Sequence, residues 1–243
     1  MTPTRAFLPS LSTKLVGIAA ACWLAAGQAQ ATTTLAYDTY VQGSQNVTYN
    51  SVIPAHSDTY NAGESRFFRT DDGIASIFEA YCVDIFQYRS PSTNVYTLVG
   101  GIGYFGAEKA SDLGRLMTLF DQWNGSTSIT AQETGAVQMA IWEIVQETAT
   151  LGGKMNYDLA SGNFTETSTG IGTAAMAQNW LSSLGSVNSW YTVDVLTNPV
   201  YQDYMVLNKV AANNVPEPGS LALVVGGLAA MGSAARRRKT HTA

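Results

Sequence analysis

The stretch 137-VQMAIWEIV-145 decides how the chain is read. Gln138, Ile141, Trp142 and Val145 stand at i, i+3, i+4 and i+7, so they share one face of a helix. Ile141, Trp142 and Val145 are apolar; Gln138 is a primary amide. An amide on a core-facing stripe costs about 1–3 kcal/mol unless a partner satisfies it. Two readings stay open. In one, Gln138 hydrogen-bonds a neighbouring backbone, as most buried amides do. In the other, its carbonyl carbon is used chemically.

Outward from this stretch, residues 131–148 read as one helix opened by a capping box of Thr130 and Glu133 and closed before Gly152-Gly153. Residues 107–123 form a helix with Leu113, Leu116, Met117 and Phe120 on one face, stopped by Asn124-Gly125. A third helix spans 173–184, with Thr173 as its cap and Gly185 at its end. Alternating runs rich in Thr, Tyr and Val predict strands at 33–40, 45–53, 66–70, 74–88, 94–99, 190–196 and 202–207. Residues 54–63 read as a loop carrying His56, Asp71-Asp72-Gly73 as a turn, and 156–165 as a hairpin or irregular loop. Strands, then helices, then strands predict an α+β fold: a β-rich sandwich or barrel-like body with a three-helix insertion.

The two ends read as targeting segments. Arg5 and Lys14 flank a short n-region, 15–26 is an apolar h-region, and Ala29-Gln30-Ala31 is an A-x-A cleavage site. Residues 1–31 are thus a signal peptide with a signal helix, and 32–210 the extracellular domain. Cys22 follows three alanines without the usual leucine, which argues against lipidation. Residues 211–214 form a linker, and 215–239 hold Val215-Pro216-Glu217-Pro218, an apolar run at 220–235 and the basic cluster Arg236–Lys239. At about 1.5 Å per residue the apolar run is slightly short for a bilayer, though flanking residues extend it as a transmembrane helix. The basic cluster would stay cytoplasmic. Residues 32–214 carry 17 acidic and 7 basic residues, a balance of −10 that argues against nucleic-acid binding.

The order V-P-E-P-G-S, apolar segment, R-R-R-K resembles the PEP-CTERM sorting signal. The resemblance implies recognition of the Pro-Glu-Pro motif by exosortase, an intramembrane transpeptidase-like enzyme. It further implies an inner-membrane-anchored precursor and a destination in the cell envelope or an exopolysaccharide or biofilm matrix. It covers about a tenth of the chain and describes delivery, not the work of the body.

Without the signal segment Cys82 is the only cysteine. It has no partner for an intramolecular disulfide, and a lone thiol in an oxidising compartment is either buried or used. The pair of strings Tyr81-Cys82-Val83-Asp84 on a strand and Val137-Gln138-Met139-Ala140-Ile141-Trp142 on a helix resembles the Cys–Gln thioester domain of bacterial surface proteins. That resemblance implies an internal γ-glutamyl thioester between Cys82 and Gln138, formed with loss of ammonia. Tyr81, Asp84, Ile141 and Trp142, with Phe78, would line or shield its pocket. It also implies covalent adhesion to an amine- or hydroxyl-bearing target. The reaction would be spent once, so the chain is not expected to be an enzyme in the turnover sense.

Two rivals are weighed beside it. A cysteine hydrolase needs a base at the nucleophile; His56, with Asp84 or Asp58 as orienter, is the one histidine in 32–214. A non-covalent glycan- or matrix-binding module would use Tyr40, Tyr49, Tyr60, Trp123, Trp190 and Tyr191 as exposed stacking surfaces. No metal or cofactor is expected: Asp71-Asp72 and the turn at 121–124 match no calcium loop, and Cys82 with His56 is too few ligands for zinc. No phosphate loop or dinucleotide fingerprint is present.

Overall fold

The structure is a computed structural model that describes residues 32–125, 128–148, 150–151, 153–167 and 171–210. The signal segment with Ala29 and Ala31, the linker at 211–214 and the segment with Val215, Pro216, Glu217 and Pro218 lie outside the described residues. Among the described residues no helix is long and apolar enough to cross a membrane.

The elements run β1 (Thr32–Tyr40), β2 (Gln45–Ser51), β3 (His56–Ala62), β4 (Ser65–Asp71), β5 (Ile74–Ala80), β6 (Asn94–Gly100), α1 (Gly101–Phe105), α2 (Ala107–Asn124) and α3 (Ala131–Gln146). They continue with β7 (Thr150–Leu151), β8 (Lys154–Met155), β9 (Phe164–Glu166), α4 (Ile171–Ser183), β10 (Tyr191–Thr197) and β11 (Tyr204–Lys209). Among the described residues the helices number four, not three. The addition is α1, a short turn after β6 that Gly100-Gly101 hid in the sequence. Thr173 lies inside α4 instead of capping it.

Six strands form an antiparallel sheet in the order β11-β10-β6-β1-β4-β5. Asp72 and Gly73, with φ of 48° and 83°, make the tight β4–β5 turn that a two-residue hairpin requires. The sheet curls into a half-barrel filled by Leu35, Phe67, Tyr96, Leu196 and Tyr204. Its ends meet at a single bridge, Cys82 to Tyr204. β5 therefore stops at Ala80, well short of Tyr88. Residues 81–83 leave β4 and pair with the start of β11: Met205 N–H donates to Tyr81 O, and Val83 N–H to Asp203 O, both at 2.9 Å.

A second sheet, β3-β2-β9, covers α3 on one side, and α2 and α4 pack on it from others. Residues 54–63 are not a loop, since β3 pairs with β2 from Gln45↔Ala62 to Ser51↔His56. The inward side chains of β3 are His56, Asp58, Tyr60 and Ala62, three of them polar, so the alternation carries no hydrophobic signal. The helix α3 is likewise not one-faced. Every residue from Thr134 to Ile144 is buried, as befits a helix enclosed on all sides. The capping box forms: Glu133 N–H donates to Thr130 Oγ1, and Thr130 N–H to Glu133 Oε2.

Candidate functional site

Cys82 and Gln138 are 56 positions apart in sequence and adjacent in space. The bridge explains why. Its two hydrogen bonds to β11 use the groups of Tyr81 and Val83, so the N–H and C=O of Cys82 itself point the other way, toward α3. No strand lies there. The side-chain amide of Gln138 takes the strand's place: Cys82 N–H donates to Oε1 at 3.0 Å, and Nε2 donates to Cys82 O at 2.7 Å. One amide thus satisfies two buried backbone groups, each of which would cost about 1–3 kcal/mol unpaired. The first reading of Gln138, a bonded buried amide, describes this geometry, and the same geometry holds its carbonyl group against the cysteine.

The thiol is held neutral. Its Sγ donates to Asp84 O at 3.0 Å. Burial pushes its pKa well up, partly opposed by the Trp142 indole N–H, and raised further by the nearby Asp84 carboxylate. That indole N–H is buried with no other hydrogen-bond partner, so it is free to stabilise charge on the sulfur. The side chain of Asp84 turns away to accept from Phe86 N at 2.8 Å, fixing the turn after Cys82. Tyr81, on the opposite side of the strand from Cys82, is buried in the main core with Ile141, and neither lines the cleft beside Cys82. Phe78 packs on Phe67 inside the half-barrel.

That cleft has a volume of about 330 Å³. Cys82, Gln138 and Trp142 line it together with Tyr40, Asp58, Asn61 and Tyr60, with Tyr88 and Arg89 from the loop after Cys82, and with Gln202. The Arg89 guanidinium lies 3.5 Å from the centre of the Tyr37 ring and 5.5 Å from that of Tyr40. Tyr88 Oη donates to Asp58 Oδ2 at 3.3 Å. Of the aromatics considered for sugar stacking, Tyr40 and Tyr60 line this cleft. Tyr49 is fully buried, Trp123 and Trp190 are exposed elsewhere, and Tyr191 hydrogen-bonds Asp121. Tyr88, Arg89 and Gln202 carried no motif, and only the long-range pairing of Cys82 with β11 gathers them.

His56 is not among the residues lining the cleft. Its ring packs against Tyr49 and Phe86 at 5.9 and 5.7 Å, and its Nε2 is buried without a partner. The hydrolase arrangement with Cys82 is not assembled. Asp71 pairs with Arg69 at 2.6 Å. Among the described residues no group of three or more His, Cys, Asp or Glu is placed to hold a metal ion.

Residues 214–239 match the family model described as the PEP-CTERM protein-sorting motif. The chain carries a PEP-CTERM signal. That motif implies an exported, membrane-anchored precursor that is processed by exosortase and sorted to the cell surface. No curated protein and no solved structure matches the chain.

Proposed function

We propose that this PEP-CTERM surface protein is a single-use acyl donor: Cys82 and Gln138 join as an internal thioester that bonds the protein covalently to its target. One observation carries the reading: the Gln138 amide is clamped by both backbone groups of Cys82 on the floor of an open cleft. An amide is a poor electrophile, so thiol attack needs enforced proximity, for which well-oriented groups supply an effective molarity of about 10⁵–10⁸ M.

The clamp favours each part of the step. Sγ attacks the Gln138 side-chain carbonyl carbon. Negative charge grows on Oε1, which already accepts from Cys82 N–H at 3.0 Å, the place of an oxyanion donor. Nε2, held by Cys82 O, takes up the thiol proton and departs as ammonia as its bond to carbon breaks. Because burial keeps the thiol protonated, nucleophile and proton arrive together. The product keeps the Oε1 contact and gives up the Nε2 bond to Cys82 O. Trp142 and the tyrosine walls limit water at the new bond.

The test is the intact mass of tag-free 32–210 beside Cys82→Ala. The wild type should be lighter than its calculated mass by one ammonia, and methylamine should convert it to an amide adduct. The variant should show neither. A wild-type chain at full calculated mass, with Cys82 freely alkylated once unfolded, would sink the reading. The second reading, non-covalent glycan binding in the same tyrosine-walled cleft, would then stand, and its complexes would come apart on denaturation.

A further inference from the structure

The cleft holds a feature that thioester formation does not use. On the inward face of β3, Asp58 stands two residues from Tyr60. Asp58 and Arg89 are the charged residues lining the cleft, so it carries no excess of negative charge to draw in an ammonium group. Tyr88 Oη donates to Asp58 Oδ2. The rings of Tyr60 and Tyr88 lie 5.8 Å apart. Burial holds the Tyr60 phenol protonated, and the neighbouring Tyr88 and Asp58 act in the same direction. Tyr60, Tyr88 and Asp58 therefore stand together in the cleft that Cys82 lines, with the Tyr88 phenol already bonded to the carboxylate.

We propose, resting on the thioester reading, that Tyr60, Tyr88 and Asp58 form a proton relay which makes the hydroxyl group of a saccharide the acceptor that opens the thioester. The chemistry of the nucleophile is the reason. A neutral amine attacks an acyl carbon with its own lone pair and sheds a proton afterwards. A hydroxyl is a weak nucleophile that must lose its proton as the C–O bond forms, so it needs a base. In the step, the hydroxyl oxygen bonds to the Gln138 acyl carbon and its proton passes to Tyr60 Oη. The Tyr60 proton moves to Tyr88, and the Tyr88 proton to Asp58. The C–S bond breaks, the Trp142 indole N–H meets the thiolate, and the proton returns along the relay to Sγ. The products are an ester and a free thiol. The tyrosine rings offer faces for a sugar, and the amides of Asn61 and Gln202 offer donors and acceptors for its other hydroxyls.

The experiment uses protein 32–210 that shows the ammonia-deficient mass. It is exposed separately to a linear gluco-oligosaccharide, glycerol, an N-acetyl-serine peptide, and methylamine, and adducts are read by intact mass. The wild type should form a saccharide adduct that alkaline hydroxylamine removes, faster than the serine peptide adduct. Asp58→Asn and Tyr88→Phe should lower the ratio of saccharide to methylamine adduct by about 100-fold, the low end of a general base's contribution. Asp58→Glu should recover part of it. Serine peptide outrunning saccharide would overturn the saccharide as acceptor. An unchanged ratio in both variants, or methylamine adduct alone in the wild type, would overturn the relay while leaving the thioester intact. A wild-type chain with no ammonia deficit would overturn both. Should Asp58→Asn fail to fold, Tyr88→Phe, at a 66 % exposed position, carries the test.

Discussion

Glu143 shows how a single buried group sets a pH response. It lies on α3, fully buried, with Oε1 accepting from Asp158 N at 2.7 Å and Oε2 without a partner. Burial raises its pKa to about 8, against the pull of the Asp158 N–H and with the push of the Glu147 charge. A carboxyl whose folded pKa exceeds its unfolded value binds more protons when folded. Its contribution is fully present below about 4.5 and is lost as pH rises through about 8. Glu64, raised to about 7 by burial and by the Glu79 charge, acts with the same sign in a lower window. Urea denaturation at pH 5.5, 7 and 8.5 should therefore show falling stability, by at most about 1.4 kcal/mol per pH unit for each group. Glu143→Gln should flatten the fall between pH 7 and 8.5, where Glu64 has largely titrated. A wild type that gains stability across this range, or a variant with the full slope, would contradict the assignment. Nothing in the sequence marked Glu143 as buried, because the helical period placed it off the face of Gln138 and Trp142. It is enclosed because α3 has neighbours on every side.

At the scale of elements, the contact between α2 and β10 depends on Gly114. A Cβ there would lie 2.3 Å from Ser189 Oγ and 2.5 Å from Tyr191 O. Both are fixed, since Ser189 Oγ donates to Tyr191 O, Tyr191 N–H donates back to it, and Trp190 N–H donates to Thr118 Oγ1 of α2. Alanine would gain about 1 kcal/mol of helix propensity and lose about 1–3 kcal/mol to overpacking. Gly114→Ala should thus be destabilising in thermal or urea melts, whereas Gly103→Ala in α1, where nothing lies within 4 Å of the added carbon, should be neutral or stabilising. Equal effects of the two would show that close approach is not why Gly114 is there. The strands with apolar alternation, the helices α2 and α3 and the capping box were legible, because local period and caps write them. β3 was not, since its inward residues His56, Asp58 and Tyr60 are polar and serve the cleft or pack on rings. The end of β5 was not either: the run from Ile74 stays strand-like past Ala80, and only the competition between β4 and β11 for residues 81–83 cuts it.

For the whole molecule, the seam of the half-barrel and the face of its central helix meet at one pair of residues. Cys82 and Gln138 could be paired from sequence by resemblance. The cleft walls could not, because Tyr40, Asp58, Tyr88 with Arg89, and Gln202 come from four separate segments that meet only when the sheet closes. This arrangement has a thermodynamic consequence. A thioester between Cys82 and Gln138 ties the half-barrel to the helical core and closes a loop of 56 positions in the unfolded chain. By the chain-entropy relation for covalent loops this contributes up to about 4 kcal/mol. Opening the bond should therefore loosen the fold as well as discharge the acyl group. Wild-type protein with the ammonia-deficient mass should unfold in urea at a higher midpoint than the same sample after methylamine, by up to that amount. The methylamine-treated chain should resemble Cys82→Ala, apart from the small cavity of the lost sulfur. The native clamp is already in place before reaction, and the gain comes from the unfolded state, offset in part by the lost partner of Cys82 O. If the midpoint is unchanged on opening while the mass confirms the adduct, the bond strains the fold by as much as it restricts the unfolded chain. The opened chain would then be as stable as the thioester form.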